Sequence, residues 1–337
     1  PADVEKHLPE PLTYPAQWVR YAYAPKDPQN LANFIEKTVT HFKDRMRHWE
    51  FYNEPVFTVT ALPNAEHKLP GANYTIKDYV DLLALAHKTM KKADPNCCVI
   101  GGMQGPPLAG AKEFIEAGGL DHADAYSIHP YGFFNKTPEV FIAEMDELLR
   151  LMDASKAGRK PIWITECGYY GTDSKPWTPW VVPPGHFSAS VQLKDERIAA
   201  DYSVRHALIM LAHNVERIFY HQGVEGELNN TSWNMDNCLQ VEEGQPRKFY
   251  PAIAALANLL GPAPKFAAPL AKPESVEGNK TDSVYGYAFQ CGTRAVLAAW
   301  APQTEGSTAK WTLNPPAGAE AFDIMGKALA TGPVELG

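Results

Sequence analysis

The stretch HWEFYNEPVF, residues 48–57, runs through an apolar, β-prone segment, stops on Glu54 and turns at Pro55. Far downstream PIWITECGYYG, residues 161–171, does the same: the apolar run stops at Glu166 and is followed by Cys167 and Gly168. Carboxylates are costly to bury and add little to a core. Delivered to the C-terminal ends of strands, they are what an active site of the barrel type requires.

Outward from these two runs the chain alternates between helical and extended periods. Residues 30–46 carry Leu31, Phe34, Ile35, Val39 and Phe42 on one helical face, and residues 76–96 carry Ile76, Tyr79, Val80, Leu83 and Met90, with lysines in the last turn. Between and after them lie the strands RHWEFYNEP, CCVIGGMQGP, ADAYSIHPYG, KPIWITECGYYG and VERIFYHQG. Helices around AKEFIEAGGL, TPEVFIAEMDELLRLMDASKAG, DERIAADYSVRHALIMLAH and YPAIAALANLLG separate or follow them, the second with Thr137 as N-cap and Pro138 at its first position, the last stopped by Gly261. Strands alternating with helices predict a parallel sheet, and the near-continuous apolar character of the strands predicts burial on both faces. No Gly-rich phosphate loop follows any strand, which disfavours a nucleotide-binding open sheet.

After Gly261 the pattern changes. PAPKFAAPLAKPE reads as a Pro/Ala-rich connector, and SVYGYAFQC, RAVLAAWAP, TAKWTL and AEAFDIMG read as short antiparallel strands. The expectation is an α/β (β/α)8 TIM barrel over residues 1–262 and a small antiparallel β-sandwich over 263–337. Eight strands close a barrel, five are counted here and WVRYAYAP near residue 18 reads as a loop, so either the first barrel strands lie upstream of this chain, the favoured reading, or the domain is not a closed barrel.

Composition narrows the functions. With 337 residues, 45% of them hydrophobic, a large core is available, while a formal charge of −8 without a dense basic run argues against nucleic acid as the partner. The five cysteines follow no disulfide or zinc spacing, and no cofactor or metal is expected. No apolar run reaches membrane-spanning length. The compartment stays open, with an extracytoplasmic or secreted setting favoured, and so does the oligomeric state.

Two carboxylates facing one sugar can hydrolyse a glycosidic bond, one protonating the leaving oxygen while the other acts from the opposite face. Glu54 and Glu166 suit those roles if their strands are neighbours, and the Asn53 amide suits a hydrogen bond to a sugar hydroxyl. His129 and Tyr131 end one strand, and His221 and Gln222 end the last. Loop aromatics after the strands, Tyr169, Trp177, Trp180 and Trp233 among them, are candidates for stacking on a saccharide.

These motifs carry a resemblance. WEFYNEP resembles the fourth-strand Asn-Glu-Pro signature of the clan A retaining glycoside hydrolases, WITECGYYG their seventh-strand nucleophile motif and YSIHPYG their sixth strand. From about residue 16 to 337 the chain is most similar to glycoside hydrolase family 39 and its relatives. The resemblance implies that Glu54 is the acid/base beside a substrate-clamping Asn53 and that Glu166 is the nucleophile. It also implies that His129 and Tyr131 sit in the sugar cleft, one of them orienting Glu166. At the eighth strand, where many relatives place a Trp platform, this chain has Tyr220, His221 and Gln222. The expected substrate is an oligo- or polysaccharide with a β-linked bond. Two other readings stand beside this one: a catalytically idle carbohydrate-binding protein, and a hydrolase of another bond using His129 with Glu166.

Overall fold

The computed structural model describes residues 19, 21–55, 61–132, 136–171, 173, 192–193, 195–221, 246–270, 284–302 and 311–336. These fall into two compact units, one within Pro1–Pro130, Ala143–Cys167 and Val215–Phe219, the other within Tyr131–Ile142, Gly168–Asn214 and Tyr220–Gly337.

The first unit is built on a five-stranded sheet in the order β1-β2-β3-β4-β7. Its strands are β1 (His48–Glu50), β2 (Cys98–Gly101), β3 (Ala125–Ile128), β4 (Ile162–Ile164) and β7 (Val215–Ile218), and every neighbouring pair is parallel. They are the five strands expected from the sequence. Helix α1 (Pro28–Phe42) precedes β1, and α2 (Ile76–Ala93), α3 (Ala111–Glu116) and α4 (Val140–Ala154) fill the crossovers from β1 to β4. α2 shows why the chain obeys: Thr75 and Asp78 close a reciprocal capping box, and Lys91 and Lys92 complement the helix dipole in the last turn. Its buried face carries Tyr79, Val80, Leu83 and Met90, as the periodicity predicts. On α1 the face is rotated, with Ala32, Ile35 and Val39 buried and Phe34 exposed.

β3 and β4 are buried throughout, whereas the edge strands β1 and β7 keep exposed positions because each lacks a neighbour on one side among the described residues. The sheet is strongly curved. The rings of His48 on β1 and Trp163 on β4 lie 5.1 Å apart, although β2 and β3 intervene. In a flat sheet those strands would be roughly 14 Å apart. Arg217 of β7 covers the same indole at 5.1 Å, so three strands converge on one concave face.

In the second unit β5 (Tyr170–Gly171) pairs with β6 (Gln192–Leu193), and helices α5 (Glu196–Ala212) and α6 (Phe249–Leu260) pack on an antiparallel sheet. That sheet comprises β8 (Lys265–Pro269), β9 (Tyr285–Cys291) and β10 (Arg294–Trp300) in the order β10-β9-β8. The shared core joins Val204 and Leu208 of α5, Ala252 and Leu260 of α6, and Tyr287 and Phe289 of β9. β11 (Trp311–Leu313) pairs with β12 (Val334–Leu336). Asp195 caps α5, and in its first turn Glu196 pairs with Arg247, both side chains only 13% exposed.

Three local expectations change. The Pro/Ala-rich connector contains β8, which bonds to β9 through its free carbonyl and amide groups despite its composition. AEAFDIMG is a turn rather than a strand: the Asp323 carboxylate accepts from the Met325 and Lys327 amides and Gly326 takes φ 80°, so the chain reverses within it. Helix α4 begins at Val140, because the amides of Val140, Phe141 and Ile142 close tight i to i+3 turns onto Thr137, Pro138 and Glu139. No helix among the described residues is long and apolar enough to cross a membrane.

Candidate active site

Three strand ends of the first unit supply the site. Beyond β1 the chain makes a turn in which Tyr52 and Glu54 adopt left-handed backbone, φ 64° and 46°. Such conformations cost about 1–3 kcal/mol each in non-glycine residues and survive only where neighbours fix them. Here the Phe51 amide donates to the Ile100 carbonyl (3.0 Å), and the Phe51 ring stacks on buried Tyr79. Beyond β3 comes His129, whose amide donates to the Gly105 carbonyl (2.9 Å). Beyond β4, the Thr165 amide donates to the Ile128 carbonyl (3.3 Å) and the next residue is Glu166.

The side chains converge. His129 Nδ1 lies 3.0 Å from Glu54 Oε1 and 3.7 Å from Glu166 Oε2, and its Nε2 lies 3.0 Å from Thr165 Oγ1. The imidazole is buried, while the Glu54 and Glu166 side chains remain 36% and 26% exposed, open to an incoming molecule. One oxygen of each glutamate and one nitrogen of His129 lie within 4.8 Å of one another. A cluster of that size can bracket a reacting carbon, and among the described residues it is also the one group of donors with the spacing to hold a divalent ion.

Beneath the pair stand groups that sequence reasoning missed. Gln104, at the end of β2, is 1% exposed and hydrogen-bonds to the Glu54 amide and to Glu50. Glu50, the last residue of β1, keeps solvent contact, yet the protein crowded around its carboxyl displaces enough water, with nearby Glu166, to raise it above the ordinary range against the opposing influence of the Thr165 and Ser127 hydroxyls and His129. A signal for Gln104 was present. Like Glu54 and Glu166, it is a polar residue closing an apolar strand.

Asn53 is exposed on the turn beside Glu54. Tyr131 and His221 belong to the second unit, where their rings meet edge to face at 6.3 Å and the Tyr170 hydroxyl donates to the His221 carbonyl. Tyr169 is buried against Tyr202 and His206, and a Cβ on Gly132 would collide with its ring at 1.9 Å. Trp177, Trp180, Gln222 and Trp233 lie outside the described residues.

No protein-family model matches the sequence, and the search of curated proteins gives no match. Solved structures do match. A family 39 glycoside hydrolase from the gut symbiont Bacteroides cellulosilyticus WH2 is 20% identical with a TM-score of 0.64, over 93% of this chain and 61% of that one. A glucosidase from Croceicoccus marinus is 16% identical with a TM-score of 0.54, over 77% and 51%. A monomeric β-xylosidase from Caulobacter crescentus CB15 is 17% identical with a TM-score of 0.51, over 84% and 55%. The chain thus has the α/β fold of glycoside hydrolase structures, family 39 among them. It spans less than two thirds of the length of each of these three.

Proposed function

We propose that this chain carries the catalytic pair of a retaining glycoside hydrolase that cleaves a β-linked bond in an oligo- or polysaccharide. The observation that carries the reading is the meeting of Glu54 and Glu166 oxygens within 4.8 Å, at the C-terminal ends of parallel strands. That separation favours direct attack, since the inverting route leaves room for a water between carboxyls about 6.5–9.5 Å apart.

In this reading a Glu166 oxygen attacks the anomeric carbon and forms a glycosyl ester. Glu54 gives its proton to the departing glycosidic oxygen as that bond breaks. Glu54, now a carboxylate, takes a proton from water, whose oxygen attacks the anomeric carbon and frees Glu166. Asn53 binds the sugar hydroxyl next to the reacting carbon, and His129 orients the pair. Tyr131, His221, Gln222 and the loop aromatics Tyr169, Trp177, Trp180 and Trp233 are proposed to contribute to substrate binding. The reaction draws on no metal or organic cofactor. The five parallel strands are read as part of a (β/α)8 barrel, with residues 1–262 as the barrel portion and 263–337 as a β-sandwich domain.

The test uses the full-length protein and a panel of aryl β-glycosides with their 2-deoxy-2-fluoro counterparts. A stoichiometric fluorosugar adduct on Glu166 by peptide mass mapping, with retained configuration in the first-formed product, is the expected result. An adduct elsewhere or an inverted product overturns the assignment. Saccharide binding without turnover selects the idle binding protein instead.

A further inference from the structure

Gln104 makes four hydrogen bonds, and their donors and acceptors leave its amide one orientation. Oε1 accepts from the Glu54 amide at 2.5 Å. Nε2 donates toward Glu50 Oε1 (3.2 Å), the Tyr52 carbonyl (3.1 Å) and the Phe51 carbonyl (3.4 Å). The backbone amide can only donate, and the carbonyls can only accept, so a flipped amide would set like against like at these three backbone contacts. The residue is buried, takes left-handed backbone itself (φ 48°) and is pinned through its own amide to the Ser127 carbonyl at 3.2 Å. Its partners span the segment from Glu50 to Glu54, which includes both left-handed residues of that turn. Side-chain amides that bond simultaneously to two carbonyls and an amide of one turn fix its backbone as a short strand would.

From this geometry we infer that Gln104 is a positioning residue, whose side-chain amide locks the Phe51–Glu54 turn and thereby aims the Glu54 carboxyl at His129 and the space before Glu166. Glu50 serves the same end, since its carboxyl gives Nε2 an acceptor on the strand itself. The inference builds on the proposed acid/base role of Glu54 but assigns the support rather than the chemistry. Gln104 touches no reacting atom.

The experiment has a structural arm and a kinetic arm, on full-length wild type, Gln104→Met and Gln104→Glu. Met removes the hydrogen bonds at similar volume; Glu keeps the shape but sets carboxylate oxygens against carbonyls. By amide hydrogen exchange, the Glu54 amide is expected to be protected in the wild type and to exchange at least about tenfold faster in Gln104→Met, with a smaller increase in Gln104→Glu, which keeps an acceptor for it, while amides of β3 and β4 are unchanged. In the kinetic arm, kcat/KM for glycosides with poor leaving groups falls on the order of 10²-fold. For dinitrophenyl glycosides, which leave without a proton, kcat/KM holds within about threefold and azide restores kcat. Unchanged protection of the Glu54 amide, or equal losses on both substrate classes, overturns the inference. If the wild type turns over no glycoside, the proposed function fails, and the exchange arm still decides whether Gln104 holds the turn.

Discussion

His129 is bound directly to Glu54, Nδ1 to Oε1 at 3.0 Å. With Nε2 against the Thr165 hydroxyl, the imidazole has a partner on each ring nitrogen and cannot rotate freely. Whichever tautomer it adopts, its proton must match the state of the Glu54 carboxyl. Replacing His129 with Ala should therefore lower kcat/KM on poor leaving groups about 10²-fold, and Thr165→Val should do so by about tenfold, with kcat/KM for dinitrophenyl glycosides falling less in both. Steady-state kinetics on the two substrate classes check this.

Glu54→Ala separates the two carboxylates. Its turnover of poor leaving groups should fall by about 10²–10⁴-fold, and azide should recover activity on dinitrophenyl substrates by attacking the glycosyl ester in place of water. A glycosyl azide seen by mass spectrometry is the diagnostic product. No rescue, together with equal losses on both substrate classes, would count against the acid/base assignment.

In the second unit, Arg205 and Glu139 form a buried pair, 7% and 10% exposed, with Trp300 Nε1 donating to the same carboxylate at 2.8 Å. Burial alone would raise the Glu139 carboxyl, but the hydrogen bonds and charge of Arg205 outweigh it and hold it below its ordinary 4.5. A carboxyl depressed in the fold adds stability above its unfolded value and loses it as pH falls through the folded one. Glu139→Gln should thus cost about 3 kcal/mol at neutral pH, with the gap from wild type closing toward pH 3. Urea unfolding at the two pH values measures it.

Gly102 faces the Ser127 carbonyl so closely that an added Cβ would lie 2.3 Å from its oxygen. The three nearest atoms all belong to the Ser127 backbone, so no side chain can swing away. Gly102→Ala should push β2 from β3 and displace Gln104 with it, lowering Tm by several degrees and reducing activity together, which thermal melts and assays on one sample can show.

The donor cluster also makes a prediction about ions. Zinc bridging Glu54, His129 and Glu166 would occupy both carboxylates, so it should inhibit in competition with saccharide, while a chelator leaves turnover unchanged. Loss of activity on chelation would instead indicate a metal-dependent hydrolase.

What the sequence made legible follows from how information is stored in it. The five parallel strands and their helices are local, periodic features, and each was readable from a single window, as with the apolar face and terminal lysines of α2. Glu54 and Glu166 stood out because a charge closing an apolar strand conflicts with core packing. Gln104 closes an apolar strand in the same way but carries no charge, and its role, like those of Glu50 and Thr165, lies in contacts between separate strand ends; the Gln104–Glu54 bond spans 50 positions. β8 was hidden because antiparallel pairing with β9 overrides the strand-breaking composition of KFAAP.

The two glutamates are carried by mechanically different supports. Glu166 continues directly from β4, whereas Glu54 sits on a left-handed turn held by the side chain of Gln104. If the pair acts as proposed, thermal loosening releases the proton donor before it disturbs the nucleophile. A warmed sample would then still capture activated sugars as an ester it no longer discharges efficiently. Gradual heating would end in a stalled, sugar-loaded protein instead of an empty one.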